Sequence, residues 1–323
     1  MPHPEALVES SLPQLGSELR TCVAQPALRD FLRRTLQIRE LACAFGLPRR
    51  VSAAVFQRWL SGPHVRVRLG HGAQFDATSC EVALPVEQAA ELVERVLGGT
   101  GRGLVPSRAG LPSAAECGVL AYFAARCVRA CGVDLRVQDV TCDAISADLA
   151  PAILWPVRIV AENALKLDLK LVFANEAYCP KQPLSAKLSL VDTLEPEQLH
   201  GLEPGDLLTS DQWSLHSTLA GMSGLLELSV AGSSERALVA LEGDALRLAP
   251  GPLAARAHHS AELVVAALSL RFSELADLLA GENSICPTLR EASLEAHGEV
   301  VARGRLVHFM GQLALEVGDH STR

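Results

Sequence analysis

The chain has 323 residues, 49% of them hydrophobic and 20% charged, with a formal net charge of −8 and a mean hydropathy of +0.21. That length suits about two domains, and that composition excludes a disordered chain. An acidic chain with only four lysines, Lys166, Lys170, Lys181 and Lys187, is a poor counter-charge for nucleic acid, so Arg29, Arg33, Arg34, Arg39, Arg49 and Arg50 read as the wet side of helices.

No basic start followed by an apolar run opens the sequence. No run approaches the roughly 18 apolar residues of a membrane span, and both points lead to the cytoplasm. Nine cysteines, an odd number with no CxxC pair, fit a reducing compartment.

Residues 27–45, ALRDFLRRTLQIRELACAF, place Leu28, Phe31, Leu32, Thr35 and Leu36 on one helical stripe, stopped by Gly46 and Pro48. HVRVRL at 64–69 alternates and predicts a strand with one wet face. Residues 86–97 repeat Val86, Ala90, Val93 and Leu97 at helical spacing, with Pro85 at the start and Gly98 past the end. A second helix spans 114–131. Ser113 and Glu116 form its capping box, Gly132 its stop, and Cys117, Leu120, Ala124, Cys127 and Cys131 a buried stripe in which cysteine serves as a small hydrophobe. Strands follow at 133–140, 153–160 and 165–173, with Asn163 in the last turn.

From Pro183 onward the text changes to short strands punctuated by Gly and Pro, and it repeats. Residues 188–208 match 264–285, aligning Leu194 with Leu270, Leu199 with Leu275, Leu202 with Leu278 and Gly205 with Gly281. Residues 226–249 match 293–317, aligning Gly232 with Gly298 and Gly243 with Gly311. The linker at 248–259 separates the copies. The last stretch, GEVVARGRLVHFMGQLALEV, is a hairpin around Gly311 with apolar residues of both parities. A unit of about 65 residues seldom holds its own core. Cys286 alone gives no disulfide, and His258, His259, His297 and His308 have no ligand spacing with cysteines. Association remains: each copy needs a partner surface, and either the two copies supply it to each other or a matching copy from another chain does. Gly304, mid-strand, suits a bulge or a close backbone approach.

GLEPGDLL at 201–208 resembles the Leu-x-Pro-Gly-Asp turn of the surface-presentation-of-antigens domain, and 298–317 resembles its Gly-x-x-x-Ala-x-Gly-x-Leu-Val hairpin. The second copy departs from this with LAGEN at its turn, and the first with Glu235-Arg236-Ala237 in place of Arg303-Gly304-Arg305. Upstream, ELVERVLGGTGRG at 91–103 and the helix after it are similar to the flagellar switch middle domain. Two such units in tandem behind a larger amino-terminal domain resemble the cytoplasmic ring protein of type III secretion injectisomes, the SctQ or YscQ family.

The resemblance implies an α+β fold: an amino-terminal domain at 1–178 and two small β-rich domains, 183–250 and 258–319, that pair in an intertwined manner. It implies a scaffold without catalytic, metal or cofactor sites, at the cytoplasmic face of the inner membrane. Its partners would be the ATPase regulator, the membrane-ring adaptor, chaperone–substrate complexes and further copies of itself, with contact to the membrane only through partners. A carboxy-terminal product of its own, begun at Met222, is a further implied partner.

The pairing residues are Leu202, Gly205, Asp206, Gly298, Gly304, Leu306, Val307 and Phe309. The glycines shape turns and strand contacts, and the apolar side chains fill a shared core; on that reading Phe309→Ala costs roughly 3–5 kcal/mol. The alternatives are a flagellar switch component, a module that only binds a response regulator, or a chemotaxis-type phosphatase. For the last, the helix offers Glu116 but Val119 where an asparagine is needed, and Glu162 and Asn163 are adjacent. GGTGRG at 98–103 lacks the Lys-Ser/Thr of a phosphate cradle.

Overall fold

The structure is a computed structural model. It describes residues 26–38, 41–52, 55, 63–70, 80–98, 112–130, 135–142, 152–161, 165–174, 176, 179–181, 183–192, 199, 201–218, 221–231, 233, 235–251, 253, 261–289, 291–296, 299–310 and 312–318. The chain divides into two compact units, Met1–Pro180 and Lys181–Arg323. The fold class is α+β, strand-rich, with all ladders antiparallel.

The first unit contains α1 (Pro26–Leu36), β1 (Leu41–Phe45), β2 (Arg49–Val51), β3 (His64–Gly70), β4 (Cys80–Pro85), α2 (Val86–Val96), α3 (Ala114–Ala130), β5 (Arg136–Thr141), β6 (Ala152–Ala161) and β7 (Lys166–Phe173). Its seven strands run β1-β6-β7-β4-β3-β5, with β2 also on β6. One core joins Leu32 and Leu36 of α1, Leu92 and Val93 of α2 and Leu120 of α3 to Val65, Leu84, Ile159 and Leu167 of the strands.

Three expectations change here. The helix expected over 27–45 ends at Leu36. Gln37 turns left-handed at φ 53, and 41–45 pairs with Val157–Ala161 as a strand. The strand at 64–69 has no wet face. It lies between β4 and β5, and Arg66 is buried because its Nη2 donates to Glu81 Oε2 at 2.7 Å, with Arg68 3.9 Å from the same carboxylate. In α2 the buried stripe is Val86, Ala89, Leu92 and Val93; Leu97 lies past the last turn and is 71% exposed. The capping box of α3 is present: the Ser113 amide donates to Glu116 Oε2 at 2.6 Å, and the Glu116 amide to Ser113 Oγ at 3.3 Å. Gly132, Cys131 and Asn163 lie outside the described residues.

The second unit contains β8 (Leu184–Asp192), β9 (Leu207–Thr209), β10 (His216–Thr218), β11 (Gly221–Val230), β12 (Arg236–Gly243), β13 (Ala245–Leu248), β14 (Ala261–Leu270), α4 (Phe272–Ala280), β15 (Ala292–Ala296), β16 (Glu299–Phe309) and β17 (Gln312–Val317). One ten-stranded sheet runs β13-β12-β11-β8-β14-β15-β16-β17-β9, with β10 on β11. Its order mirrors the sequence repeat. The first copy supplies β13-β12-β11-β8, the second β14-β15-β16-β17, and the two halves meet at the β8·β14 ladder. Leu188, Leu190 and Leu263 are all buried at this seam.

Candidate protein-interaction surface

Among the described residues, backbone pairing joins the copies in three places. The central seam pairs Leu184–Asp192 with Ala261–Leu270, with a bulge at Val265. The other two joins are exchanges. The alignment that matches Gly205 with Gly281 matches Thr209 with Ile285, and the one that matches Gly243 with Gly311 matches Leu246 with Ala314. The structure pairs Thr209 with Ala314 and Ile285 with Leu246. Each copy thus reaches across to the last strand of the other, and the reach is reciprocal.

The expected site residues fall on this framework as follows. Gly205 and its match Gly281 both adopt the left-handed conformation that favours glycine, at φ 94 and 74. The Gly205 amide donates to the Val317 carbonyl at 2.8 Å, and the Val317 amide donates to the Asp206 carbonyl at 2.9 Å, tying the turn to β17. The Asp206 carboxylate accepts from the Glu203 amide at 2.7 Å, closing that turn. Leu202 is half-buried, whereas its match Leu278 is fully buried in α4. Gly304 is a close approach: a Cβ there would lie 1.9 Å from the Glu316 carbonyl oxygen. Leu306 and Val307 are half-buried on opposite faces of β16. Gly298 lies outside the described residues.

Phe309 is not in a shared core. It is 46% exposed: β15 pairs with β16 as far as Gly304, and the closing end of the hairpin runs on past that ladder. Phe309 pairs with Gln312 at its closing end, and Met310, 89% exposed, follows it at φ 52. The apolar residues of both parities divide. Leu313, Ala314, Leu315 and Val317 of β17 and Ala302 of β16 are buried, while Phe309 and Met310 at the closing end, Val300 at the other end of β16 and Leu207 of β9 are exposed. None of the expected residues marks Met310 or Leu207; their signal is an apolar residue at a turn position and in an edge strand.

Polar pairs lie along these strands: Arg305 with Glu316, Gln312 with Asp211 and Lys187 with Glu295. Arg305 and Glu316 are 2.6 Å apart, and that hydrogen bond holds the Glu316 carboxyl below its ordinary range. Gln312 donates to Asp211 at 3.0 Å, anchoring the strap after β9 to the hairpin tip. Lys187 spans β14 to reach Glu295 at 2.7 Å.

Three described groups suited to chemistry are engaged in the fold. The Glu116 carboxyl is lowered by its hydrogen bonds to the Ser113 amide and side chain, and it caps α3. Burial pushes the Cys80 thiol up to about 12 and the Cys179 thiol up to about 11, values at which thiolate is scarce. Among the described residues no His/Cys/Asp/Glu cluster could hold a metal ion, and no helix is long and apolar enough to cross a membrane.

No protein-family model and no curated protein matches the sequence. Among solved structures, the chain is similar in fold to middle regions of flagellar switch proteins over about half its length. A chain of the FliG–FliM complex from H. pylori is 11% identical, covering 53% of this chain and 94% of that one, with a TM-score of 0.38. Thermotoga maritima FliY is 11% identical, covering 55% and 94%, with a TM-score of 0.36. The FliM middle domain from Vibrio alginolyticus is 14% identical, covering 48% and 91%, with a TM-score of 0.35.

Proposed function

We propose that the chain is a non-enzymatic scaffold of a type III secretion sorting platform, built from an amino-terminal domain at 1–178 and surface-presentation-of-antigens units at 183–250 and 258–319. The observation that carries this reading is the tail. Two sequence copies are knit into one sheet by reciprocal exchange, yet apolar side chains of the longer hairpin remain outside it. Exposed apolar side chains at a hairpin tip suit contact with a protein partner. The tandem copies and their turn and hairpin motifs favour the injectisome ring protein over the single-copy flagellar relatives. In that setting the chain works at the cytoplasmic face of the inner membrane. Its partners are the ATPase regulator, the ring adaptor and chaperone–substrate complexes.

A product begun at Met222 would start inside β11, where Met222 pairs with Ser217 and Gly243. It would lack β8 and β9, and so leave β14 and β17 with open edges. Open edges demand a strand donor, so such a product would join a second chain rather than stand alone. A blot of a carboxy-terminally tagged gene that shows one band only would remove this product from the account.

The test of the scaffold reading is co-purification of residues 181–323 with the ATPase regulator. Stable capture, lost on Phe309→Asp, supports it. Failure to capture, or acyl-phosphate turnover by the amino-terminal unit, contradicts it.

A further inference from the structure

The ladders of the two hairpins stop in different places. In the first copy β11 accompanies β12 along its whole length, from Ser229 beside Arg236 to Met222 beside Gly243. In the second, β15 begins at Ala292 and leaves β16 at Gly304, while β17 continues to Gln312 beside Phe309. Among the described residues, no ladder covers the other side of Arg305–Phe309.

Hydrogen bonds at the base of the hairpin fix which backbone groups that side shows. The Val317 amide donates to the Asp206 carbonyl and the Val317 carbonyl accepts from the Gly205 amide, so both point away from β16, whereas Gly318 donates to the Arg303 carbonyl. Antiparallel ladders alternate in this way residue by residue. Arg305, Val307 and Phe309 therefore turn their amides and carbonyls to β17, and Leu306 and His308 turn theirs to the open side. The window is symmetric about Val307, with one outward residue on each side of it. Its sequence, RLVHF, holds a β-branched and an aromatic residue and neither lysine nor proline, the usual guards of an open edge.

We propose that this edge pairs with the same edge of a second copy, antiparallel, across a two-fold axis at Val307. Leu306 of each copy then exchanges hydrogen bonds with His308 of the other, so every outward amide and carbonyl of the window finds a partner. Such a contact is isologous and closes at the dimer. Side chains select the register. Arg305 lies opposite Phe309 of the second copy, guanidinium beside ring, and Val307 lies opposite Val307, so no two arginines face each other. An axis displaced toward Gly304 runs the second copy into β15. One displaced toward Phe309 carries Leu306 to the turn of the other hairpin or beyond it. The pairing goes beyond the scaffold reading and needs no secretion partner, so the two can fail separately.

The experiment is sedimentation velocity on the full chain over a concentration series, for the parent, His308→Pro, Val307→Lys, Val307→Glu, and a one-to-one mixture of the last two. The parent should reach a dimer as concentration rises. His308→Pro removes an outward amide and no bond to β17, so it should melt near the parent yet dimerise at least about tenfold more weakly. Val307→Lys and Val307→Glu each set like charges opposite one another on the axis. Each alone should dimerise at least about tenfold more weakly, and the mixture should regain dimers. A parent that stays monomeric, a single variant that dimerises like the parent, or a mixture no better than its components would each overturn the pairing. Should a variant melt early, disulfide mapping by mass spectrometry decides instead. Opposed residues of a pair without mutual hydrogen bonds lie about 4.5 Å apart at Cα, within disulfide reach. Under mild oxidation Val307→Cys should link to itself between copies, and Arg305→Cys should link to Phe309→Cys when the two are mixed. Absence of these links, or links from the three positions only to other cysteines, overturns the pairing.

Discussion

Phe309 and Ser189 are both tail residues, and their surroundings assign them opposite behaviour. Phe309 is half-exposed at a hairpin end, so Phe309→Ala should cost under about 1 kcal/mol, well below the cost of emptying a core site. Chemical denaturation of residues 181–323 measures that difference, and a loss near 3 kcal/mol would return Phe309 to the core. Ser189 is fully buried between Glu227 and Val264, and its hydroxyl has no hydrogen-bond partner among the described residues. Ser189→Ala should therefore be neutral or stabilising by up to about 1 kcal/mol, since it removes a buried group without an acceptor. Protons act at this scale as well. Glu116, Glu274 and Glu316 all have carboxyls lowered by hydrogen bonds to Ser113, Arg271 and Arg305 respectively. A lowered folded value means that their contribution is present above the ordinary glutamate value of 4.5 and is lost as the pH falls through the lowered values. The melting temperature should accordingly fall below pH 4.5, and Glu274→Gln should shrink that fall.

At the scale of elements, the strand contacts set the cost of change. Gly304→Ala forces a Cβ against the Glu316 carbonyl, so it should cost on the order of 1–3 kcal/mol and loosen the β16·β17 ladder. Amide exchange at Arg305 and Val307 reads that loosening directly. In the first unit, Arg66 and Glu81 are buried together between sheet neighbours. Arg66→Ala leaves the Glu81 carboxylate buried with only Arg68, at 3.9 Å, and should cost about 3–5 kcal/mol. A cost under 1 kcal/mol by denaturation would contradict a buried pair. The sequence disguised this strand: His-Val-Arg-Val-Arg-Leu reads as one wet face, and no pattern of residue types shows that a glutamate fifteen positions away lies diagonally across the ladder. The end of α1 was hidden for a related reason. Its apolar residues continue at tolerable helical spacing into Leu41–Phe45, and the break falls on Gln37 rather than on a glycine or proline. The helix caps at Pro85 and Ser113 were legible because they depend on residues within four positions.

For the whole molecule, the repeat was the most informative text. Matched leucines and glycines announced two copies, and the same matches give the partners of the reciprocal exchange, Thr209 with Ala314 and Ile285 with Leu246. What the text could not give was which apolar residues stay outside, because that depends on where the β15·β16 ladder ends. The energetic consequence is that each copy lacks part of its sheet when alone. The second copy without the first loses β8 beside β14 and β9 beside β17, two edges of one small body. Leu188→Ala at the seam should destabilise both halves together, by about 2–5 kcal/mol in one cooperative transition, if they fold as a unit. The most direct measurement is the native mass and amide exchange of residues 258–323 alone, beside residues 181–323. The shorter piece should be unfolded or self-paired, with the longer one compact and β14 and β17 protected. A compact monomer of 258–323 with both strands protected would contradict the claim that neither copy is complete without the other.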